Sequence, residues 1–253
     1  MDRFADKVVL VTGGSSGIGL ATALAFAREG ATVVVAGRRT SEGEKAVALL
    51  KEQGGEPSFI QTDVAIEADV ALLVEQIVSR YGRLDIAFNN AGNVVGVGPL
   101  IELDEAAWDA TIDGNLKGTW LSMKYEIRQM FKQGGGTIIN MSSNIGGHVA
   151  RPMMASYAAA KAGVLALTKT AALEYVQSGI HVHSVSPGPI RTALSKRGNE
   201  SDEERDQRVA AALPIGRIGL PEEVANAVLW LSSPEATFIV GHDIVLDGGF
   251  TLQ

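Results

Sequence analysis

The sequence contains no cysteine, which removes disulfide staples, thiolate metal centres and cysteine nucleophiles from consideration. A surplus of positive charge is also missing. There are 22 Lys and Arg against 29 Asp and Glu, a formal net charge of −7, with no concentrated basic stretch. Binding to a phosphate backbone needs clustered cations, so no nucleic-acid partner is expected. No run approaches the roughly 20 apolar residues that cross a bilayer, so no membrane partner is expected either. The opening MDRFADKVVLVTGG has one short apolar run followed by glycines, without the h-region and cleavage site of a secretory signal; a cytoplasmic location is the expectation. No Pro/Ser-rich or charge-rich linker, fixed-period repeat or low-complexity tract divides the chain. Its 253 residues, 46% of them hydrophobic, therefore read as one domain over 1–253.

What is present is an alternation of short β-branched runs with longer segments of helical period. Strands are predicted at 7–12, 31–37, 57–63, 84–90, 137–143, 180–186 and 242–247. Helices are predicted at 18–29, 41–54, 66–81, 104–132, 155–177, 202–212 and 221–232. Continuous apolar strands suit a parallel sheet covered on both faces, and right-handed crossovers then give an α/β, doubly wound sheet. Ligands of such sheets bind beyond the carboxyl ends of the strands, where nearly every unusual residue of this chain lies.

Between the first strand and first helix stands Thr12-Gly13-Gly14-Ser15-Ser16-Gly17-Ile18-Gly19. Glycines at 13, 17 and 19 let the backbone turn tightly and approach a pyrophosphate, which the uncapped N–H groups and positive dipole end of a helix then bind. The place of this turn in a βαβ unit, more than the glycines themselves, points to a dinucleotide. An NAD site usually carries an acid at the end of the second strand, for the ribose 2′-OH. Here Gly37 is followed by Arg38 and Arg39. A guanidinium can take a 2′-phosphate bidentately where a carboxylate would repel it, so NADP(H) is expected over NAD(H). The bland alternative is a pair of solvated surface charges, and it weighs more for Arg39 than for Arg38.

Ser156-Tyr157-Ala158-Ala159-Ala160-Lys161 puts a phenol and an ammonium four residues apart on one helical face. A tyrosine with its ordinary pKa of about 10 exchanges protons poorly near neutrality, and lowering that value by roughly three pH units takes about 4 kcal/mol of differential interaction. Lys161 and the cationic nicotinamide of an oxidised cofactor both favour the phenolate. Ser142 and Ser143, ending the fifth strand, should converge with this helix at the carboxyl edge. Together with Asp63-Val64, Asn89-Asn90-Ala91-Gly92, Asn115 and Pro187-Gly188, in that order and over essentially the full length, the chain resembles the short-chain dehydrogenase/reductase family, in its subgroup of about 250 residues with a Rossmann-like sheet.

The resemblance implies that Tyr157 donates and recovers the proton of a carbonyl or alcohol oxygen, with Ser143 hydrogen-bonding the same oxygen. Ser143 is preferred to Ser142 because it heads the Ser-x-x-Gly stretch. Lys161 would lower the tyrosine pKa and hold the nicotinamide ribose, and Asn115 would bind a water linking Lys161 to solvent; its alternative is an asparagine that kinks the helix. Gly13, Ser15, Ser16, Gly17, Ile18 and Gly19 would hold the pyrophosphate. Asp63 would bond the adenine amino group beside Val64, and Asn89, Ala91 and Gly92 would line the adenine ribose, Asn89 having also a purely structural reading. Pro187, Gly188, Ile190 and Thr192 would contact the nicotinamide. The chain departs from the family pattern at Ser184, where relatives often carry Asn, and in a Ser143–Tyr157 interval one residue longer than in some members.

The four histidines (His148, His181, His183, His242) lack acidic partners at ligand spacing, so no metal is expected. Substrate contacts are expected from Asn93 to Gly98, from His148 to Met154, and from a charged lid over 193–213. Met153 and Met154 could equally be packing. The resemblance further implies a homotetramer. Its activity would be NADPH-dependent carbonyl reduction, reversible as alcohol oxidation. 3-Oxoacyl-carrier-protein reduction and sugar or cyclic-alcohol oxidation stay open within the class, and a non-catalytic NADP(H) sensor on the same fold stays open outside it.

Overall fold

The computed structural model describes residues 3–253. Its strands are β1 (Val8–Thr12), β2 (Thr32–Gly37), β3 (Ser58–Gln61), β4 (Ile86–Asn89), β5 (Gly136–Met141), β6 (Ile180–Pro187) and β7 (Asp243–Leu246). They pair in parallel as one seven-stranded sheet in the order β3-β2-β1-β4-β5-β6-β7. The α-helices are α1 (Gly17–Arg28), α2 (Thr40–Lys51), α3 (Glu67–Tyr81), α4 (Glu105–Ile112), α5 (Gly118–Gln133), the four-residue turn α6 (Asn144–Gly147), α7 (Ala155–Tyr175), α8 (Asp202–Ala210) and α9 (Pro221–Leu231). This is the expected doubly wound α/β fold.

The two-residue pleat divides the core. On one face, Val9 and Val11 of β1 and Val33 and Val35 of β2 meet Ala23 and Phe26 of α1 and Val224 and Val228 of α9. On the other, Leu10, Val34, Ile138 and Val182 meet Leu73 and Ile77 of α3, Met123 and Ile127 of α5 and Ala171 of α7. Both faces are dry, which is why these strands read as unbroken apolar runs; each such side chain contributes roughly 1.5–3 kcal/mol by leaving water. The strand order reverses between β1 and β4, so the connections that follow them run to opposite faces and leave a crevice at the carboxyl edge.

The helix predicted over 104–132 is divided. Asp104 caps α4, its carboxylate accepting from the Ala107 N–H at 2.8 Å, and a π-helical turn over Asp113–Lys117 precedes α5. Asn115 supplies the reason: its Nδ2 donates to the Thr111 carbonyl at 2.9 Å, taking the acceptor a regular backbone ladder would use. The segment 193–213 holds a short 3₁₀ turn (Ala193–Ser195) and α8. Val209 and Leu213 anchor its far end on Ile218 and Phe250. No helix of the described residues is long and apolar enough to cross a membrane.

Candidate active site

The glycine turn after β1 is stitched to the loop after β4. Thr12 Oγ1 accepts from the N–H groups of Asn90 and Ala91, both at 3.1 Å. Asn90 Nδ2 donates back to the carbonyls of Thr12 at 3.1 Å and Gly13 at 3.2 Å. A Cβ on Gly19 would stand 2.4 Å from the Gly13 carbonyl oxygen and 2.6 Å from Asn90 Nδ2, so only glycine fits where α1 begins. Ser15 is half-buried and Ser16 exposed. Ser16 occupies the N-cap without a side-chain bond, and the first turn of α1 holds no acid. Its N–H groups, those of Gly17 and Ile18 included, are thus open to an anion. A pyrophosphate fits this edge.

Beyond β2 and β3, Arg38 and Asp63 wall one hollow with Thr62 and Leu72. The Arg38 carbonyl accepts from Gln61 Nε2 at 3.1 Å, while its exposed side chain forms no salt bridge among the described residues. Arg39 is also exposed but lies near Glu42, whose carboxyl is held below its ordinary range chiefly by Lys45 and to a smaller extent by Arg39. Asp63 Oδ1 accepts from the Ala65 N–H at 3.0 Å, and Val64 packs so closely that a Cβ on Gly118 would meet its Cγ2 at 2.7 Å.

Asn89 does not face the crevice. It is buried, its Nδ2 donating to Glu126 Oε2 at 2.9 Å and Asn140 Oδ1 at 3.1 Å; the pleat turns Asn89 inward and gives the crevice side to Asn90. The ribose-lining position read for Asn89 is therefore corrected in favour of its structural alternative. Ala91 is half-buried and Gly92 exposed. A Cβ on Gly92 would lie 2.5 Å from Asn115 Oδ1 and 3.7 Å from Lys161 Nζ, so these groups converge there. Asn115 Nδ2 also donates to the carbonyl and Oδ1 of Asn93 at 2.9 and 3.0 Å, while Asn115 Oδ1 is buried without a partner.

Three side chains of the expected constellation meet at the end of β5. Ser142 Oγ donates to the Lys161 carbonyl at 3.0 Å, binding α7 to the strand. Ser143 instead caps α6, accepting from the Ile145 N–H at 3.1 Å, and its hydroxyl stands against the Tyr157 phenol. Burial pushes the Tyr157 pKa up, and the bond with Ser143 draws it partly back. Lys161 is 3% exposed; burial lowers its pKa to about 8. Its Nζ donates to the Met141 carbonyl at 2.8 Å and lies 5.6 Å from the centre of the tyrosine ring. Within the chain by itself, Lys161 does not lower the phenol, because its ammonium is itself desolvated and directed at the Met141 carbonyl.

The segment after β6 closes the crevice from the other side. The Gly188 N–H donates to the Leu246 carbonyl at 2.9 Å behind Pro187. Ile190 is buried in the core, which leaves its backbone, not its side chain, to any nicotinamide. Thr192 reaches over the glycine turn, its methyl 3.2 Å from where a Cβ on Gly17 would stand.

His148 Nε2 bonds Asp243 Oδ2 at 2.7 Å, and Ser184 Oγ donates to Asp243 Oδ1 at 2.6 Å. This clasp ties the loop between β5 and α7 to the last strand, and it explains Ser184: a hydroxyl there holds an acid from the neighbouring strand. His183 is buried, its pKa lowered to about 4 chiefly by desolvation, and no metal-binding group of side chains occurs among the described residues. The clasp, and the parts Asn90 and Asn93 take in binding the glycine turn and Asn115, were not read from the sequence. Asn90 was legible from strand alternation, whereas the clasp joins residues 95 positions apart.

With this geometry in view, the chain matches a family model described as "Enoyl-(Acyl carrier protein) reductase" over residues 13–251. It is 42% identical to a cis-4-hydroxycyclohexanecarboxylate dehydrogenase of Sinomonas cyclohexanicum, over 99% of this chain and 98% of that protein. It is 40% identical to a cyclohexanol dehydrogenase of Acinetobacter sp. (strain SE19), over 99% and 97%. It is also 40% identical to a 3-oxoacyl-[acyl-carrier-protein] reductase of Thermotoga maritima, over 99% and 100%. Among solved structures, a short-chain type dehydrogenase/reductase from Mycobacterium ulcerans superposes with a TM-score of 0.92 at 35% identity, covering 99% of this chain and 91% of that one. The chain belongs to the short-chain dehydrogenase/reductase family: it is an oxidoreductase that works with a nicotinamide cofactor.

Proposed function

We propose that this oxidoreductase interconverts a cyclic secondary alcohol and its ketone with NADP(H), using Tyr157 as acid and base. One observation carries the reading: a deeply set phenol, a serine hydroxyl against it and a buried ammonium one helical turn away lie at the same sheet edge as an uncapped, glycine-built helix start. The glycine turn and the start of α1 would hold a nicotinamide dinucleotide, which would supply or accept the hydride. Neutral Tyr157 donates its proton to the carbonyl oxygen during reduction, and its phenolate recovers a proton from the alcohol in the reverse sense. The Ser143 hydroxyl donates to the same oxygen and steadies its developing charge. Asn115 Oδ1, buried and unpartnered, accepts from a water that passes protons between Lys161 and solvent.

The cyclic skeleton comes from the two relatives named for cyclohexane-ring alcohols. The relative named for a 3-oxoacyl carrier substrate supports a second reading, reduction of 3-oxoacyl thioesters. Turnover of cyclohexanols, sugars and 3-oxoacyl thioesters side by side decides between them. Tyr157→Phe should cut turnover by roughly 10²–10⁴-fold while leaving NADPH binding intact. Activity that survives this change would refute the acid/base role, and a protein that binds NADPH yet turns over nothing would be a sensor.

NADP(H) follows from the missing acid after β2 and from Arg38, the less neutralised of the two arginines. Arg38→Asp should weaken NADPH far more than NADH, and equal weakening would refute the phosphate role. The segment 193–213 serves as a lid hinged beyond Thr192, its far end anchored by Leu213. A homotetramer completes the proposal: Trp120 and Phe131 on α5, and Trp230, Phe238 and Leu252 near the C-terminal edge, are exposed apolar groups of the kind a second copy covers. Sedimentation measures it directly.

A further inference from the structure

Met153 stands out by its backbone. It holds φ +69°, in the left-handed region that is costly for a residue with a Cβ and favours glycine or asparagine. With Pro152 it forms the turn that leads into α7. A proline followed by a positive φ is the pattern of a type II turn, whose third position glycine normally fills. Packing does not account for the methionine, because 51% of it is exposed and it belongs to no core cluster of the described residues. A bulky side chain kept in a strained, half-exposed position is a feature of ligand contacts.

Distances on both sides of Tyr157 fix the place of this turn. The Met153 carbonyl accepts from the Gly98 N–H at 3.0 Å, and the Met154 carbonyl accepts from the Ala158 N–H at 2.9 Å, where α7 starts. The other end of the loop after β4 lies at Gly92, where a Cβ would stand 3.7 Å from Lys161 Nζ. That ammonium is 5.6 Å from the centre of the Tyr157 ring. Tyr157 falls midway between Met153 and Lys161 in the chain, so residues 92–98 run along the start of α7 past the phenol. This stretch is a fixed wall: the Val95 carbonyl accepts from Thr111 Oγ1 at 3.1 Å, and a Cβ on Gly96 would meet Ala107 Cβ at 2.8 Å. Its one polar side chain, Asn93, is spent on Ala110 and Asn115. Val97, 61% exposed, adjoins the Gly98–Met153 bond, which makes the wall beside the phenol apolar.

We infer that Met153, with Val97 beside it, determines specificity in this crevice: its side chain covers the hydrocarbon side of an uncharged ring whose carbinol carbon lies at Tyr157. The inference rests on the reading of Tyr157 proposed above and narrows its substrate class to hydrocarbon rings, against sugars. An apolar wall strengthens binding with each methylene it buries, and it penalises a ring oxygen or hydroxyl left there without a partner. Arg151 opens the same turn, so an anionic ring is one arm of the test.

The test is steady-state reduction, by the full chain with NADPH, of cyclohexanone, 4-methylcyclohexanone, tetrahydropyran-4-one and 4-oxocyclohexanecarboxylate. The wild-type protein should favour the methyl ketone over cyclohexanone by about tenfold in kcat/KM, and disfavour the ring ether by about the same factor. Met153→Leu should keep both contrasts within about twofold. Met153→Asn, whose side chain suits the left-handed backbone, should reduce both contrasts to about threefold or less and leave Tm equal to or above the wild-type value. Intrinsic ketone reactivity cancels in that comparison. Unchanged contrasts in Met153→Asn, no contrast in the wild type, or a preference for the carboxylate would overturn the inference. So would a lower Tm with equal losses on all the ketones, the mark of a purely structural methionine. A binding arm separates this inference from the catalytic reading. Ligand-observed NMR with the NADP⁺ complex of Tyr157→Phe should show the methyl ketone binding about tenfold tighter than the ring ether, and adding Met153→Asn should remove the difference. That contrast supports the apolar wall whether or not Tyr157 proves to be the acid, and its absence overturns the part given to Met153 alone.

Discussion

Glu126 should make the stability of this protein fall with rising pH, and Glu126→Gln should remove that fall. The carboxyl lies on α5 in the interior, where burial pushes its pKa up to about 8 although the bond from Asn89 pulls it down. Glu126 Oε2 accepts from Asn89 Nδ2 at 2.9 Å, while Glu126 Oε1 and Asn89 Oδ1 are both buried without partners. A proton on Oε1 resolves both, since the neutral acid can then donate to Asn89 Oδ1 and close a ring of two hydrogen bonds. In the unfolded chain the same carboxyl titrates at its ordinary value of 4.5. Between these two values the folded state holds a proton that the unfolded state has released, so stability is fully present below the lower value and is lost as pH rises through the higher one. The slope approaches about 1.4 kcal/mol per pH unit, which makes about 2.5 kcal/mol between pH 5 and pH 7 and about 3.5 kcal/mol by pH 8. Glutamine preserves the pair without titrating: its amide N–H donates to Asn89 Oδ1 and its carbonyl accepts from Asn89 Nδ2. Urea or thermal melts across this range should show the variant equal to the wild type in acid and more stable above neutrality, at about 2–4 °C of Tm per kcal/mol. Parallel pH profiles for the two proteins would refute a neutral, paired Glu126.

Three further outcomes follow from other parts of the edge. Gly19→Ala should weaken NADPH binding by about tenfold or more, read by fluorescence titration, because the new methyl displaces the Gly13 carbonyl and Asn90 amide that shape the turn. His148→Ala should raise KM several-fold with a smaller effect on kcat, and His148→Gln should restore part of the loss; an unchanged KM would show that the clasp to Asp243 does not position the substrate loop. Since burial raises the Tyr157 pKa, ketone reduction should persist through neutrality and decline as pH climbs through that raised value. Alcohol oxidation should increase over the same span, and steady-state pH profiles in both directions check the sign.

The sheet was legible because its physics is local: a strand buried on both faces must be apolar at every position, and Val8 to Val11 and Val33 to Ala36 are. The glycine turn was legible for a similar reason, since Gly19 marks a place where backbone and side chain come too close for any Cβ. The interruption of the helix predicted over 104–132 was legible only as the alternative reading of Asn115, an asparagine that kinks the helix. Asp113-Gly114-Asn115 contains no proline, and the π turn depends on where the Asn115 amide finds acceptors, among them Asn93 on another loop. Asn89 and Asn90 show the limit of a motif read without its pleat: two identical residues are sent to opposite sides of one strand, one to the interior network and one to the glycine turn. In the chain by itself the Tyr157 shift runs opposite to the one expected from Lys161 and an oxidised nicotinamide together, for a different reason. Spacing of four residues locates Lys161 on the same helical face, but desolvation is a property of everything packed around the phenol, and the Met141 carbonyl that takes the ammonium belongs to another strand.

Charge shows most clearly why the site, rather than the whole chain, must decide which ligands bind. A net charge of −7 repels NADPH and any carboxylate at long range, so the field of the molecule cannot recruit them. Recognition is left to cations whose own counter-ions are missing, because a guanidinium already paired with an acid has little left to offer an incoming anion. Arg38 beyond β2 meets that condition, while Arg205, Arg208 and Arg217 carry the same charge and are spent on Asp206, Glu200 and Glu223. At the Tyr157–Lys161 pair, by contrast, burial disfavours charge on either group. A ligand that is anionic where it meets Arg38 and neutral at its reacting carbon matches that distribution.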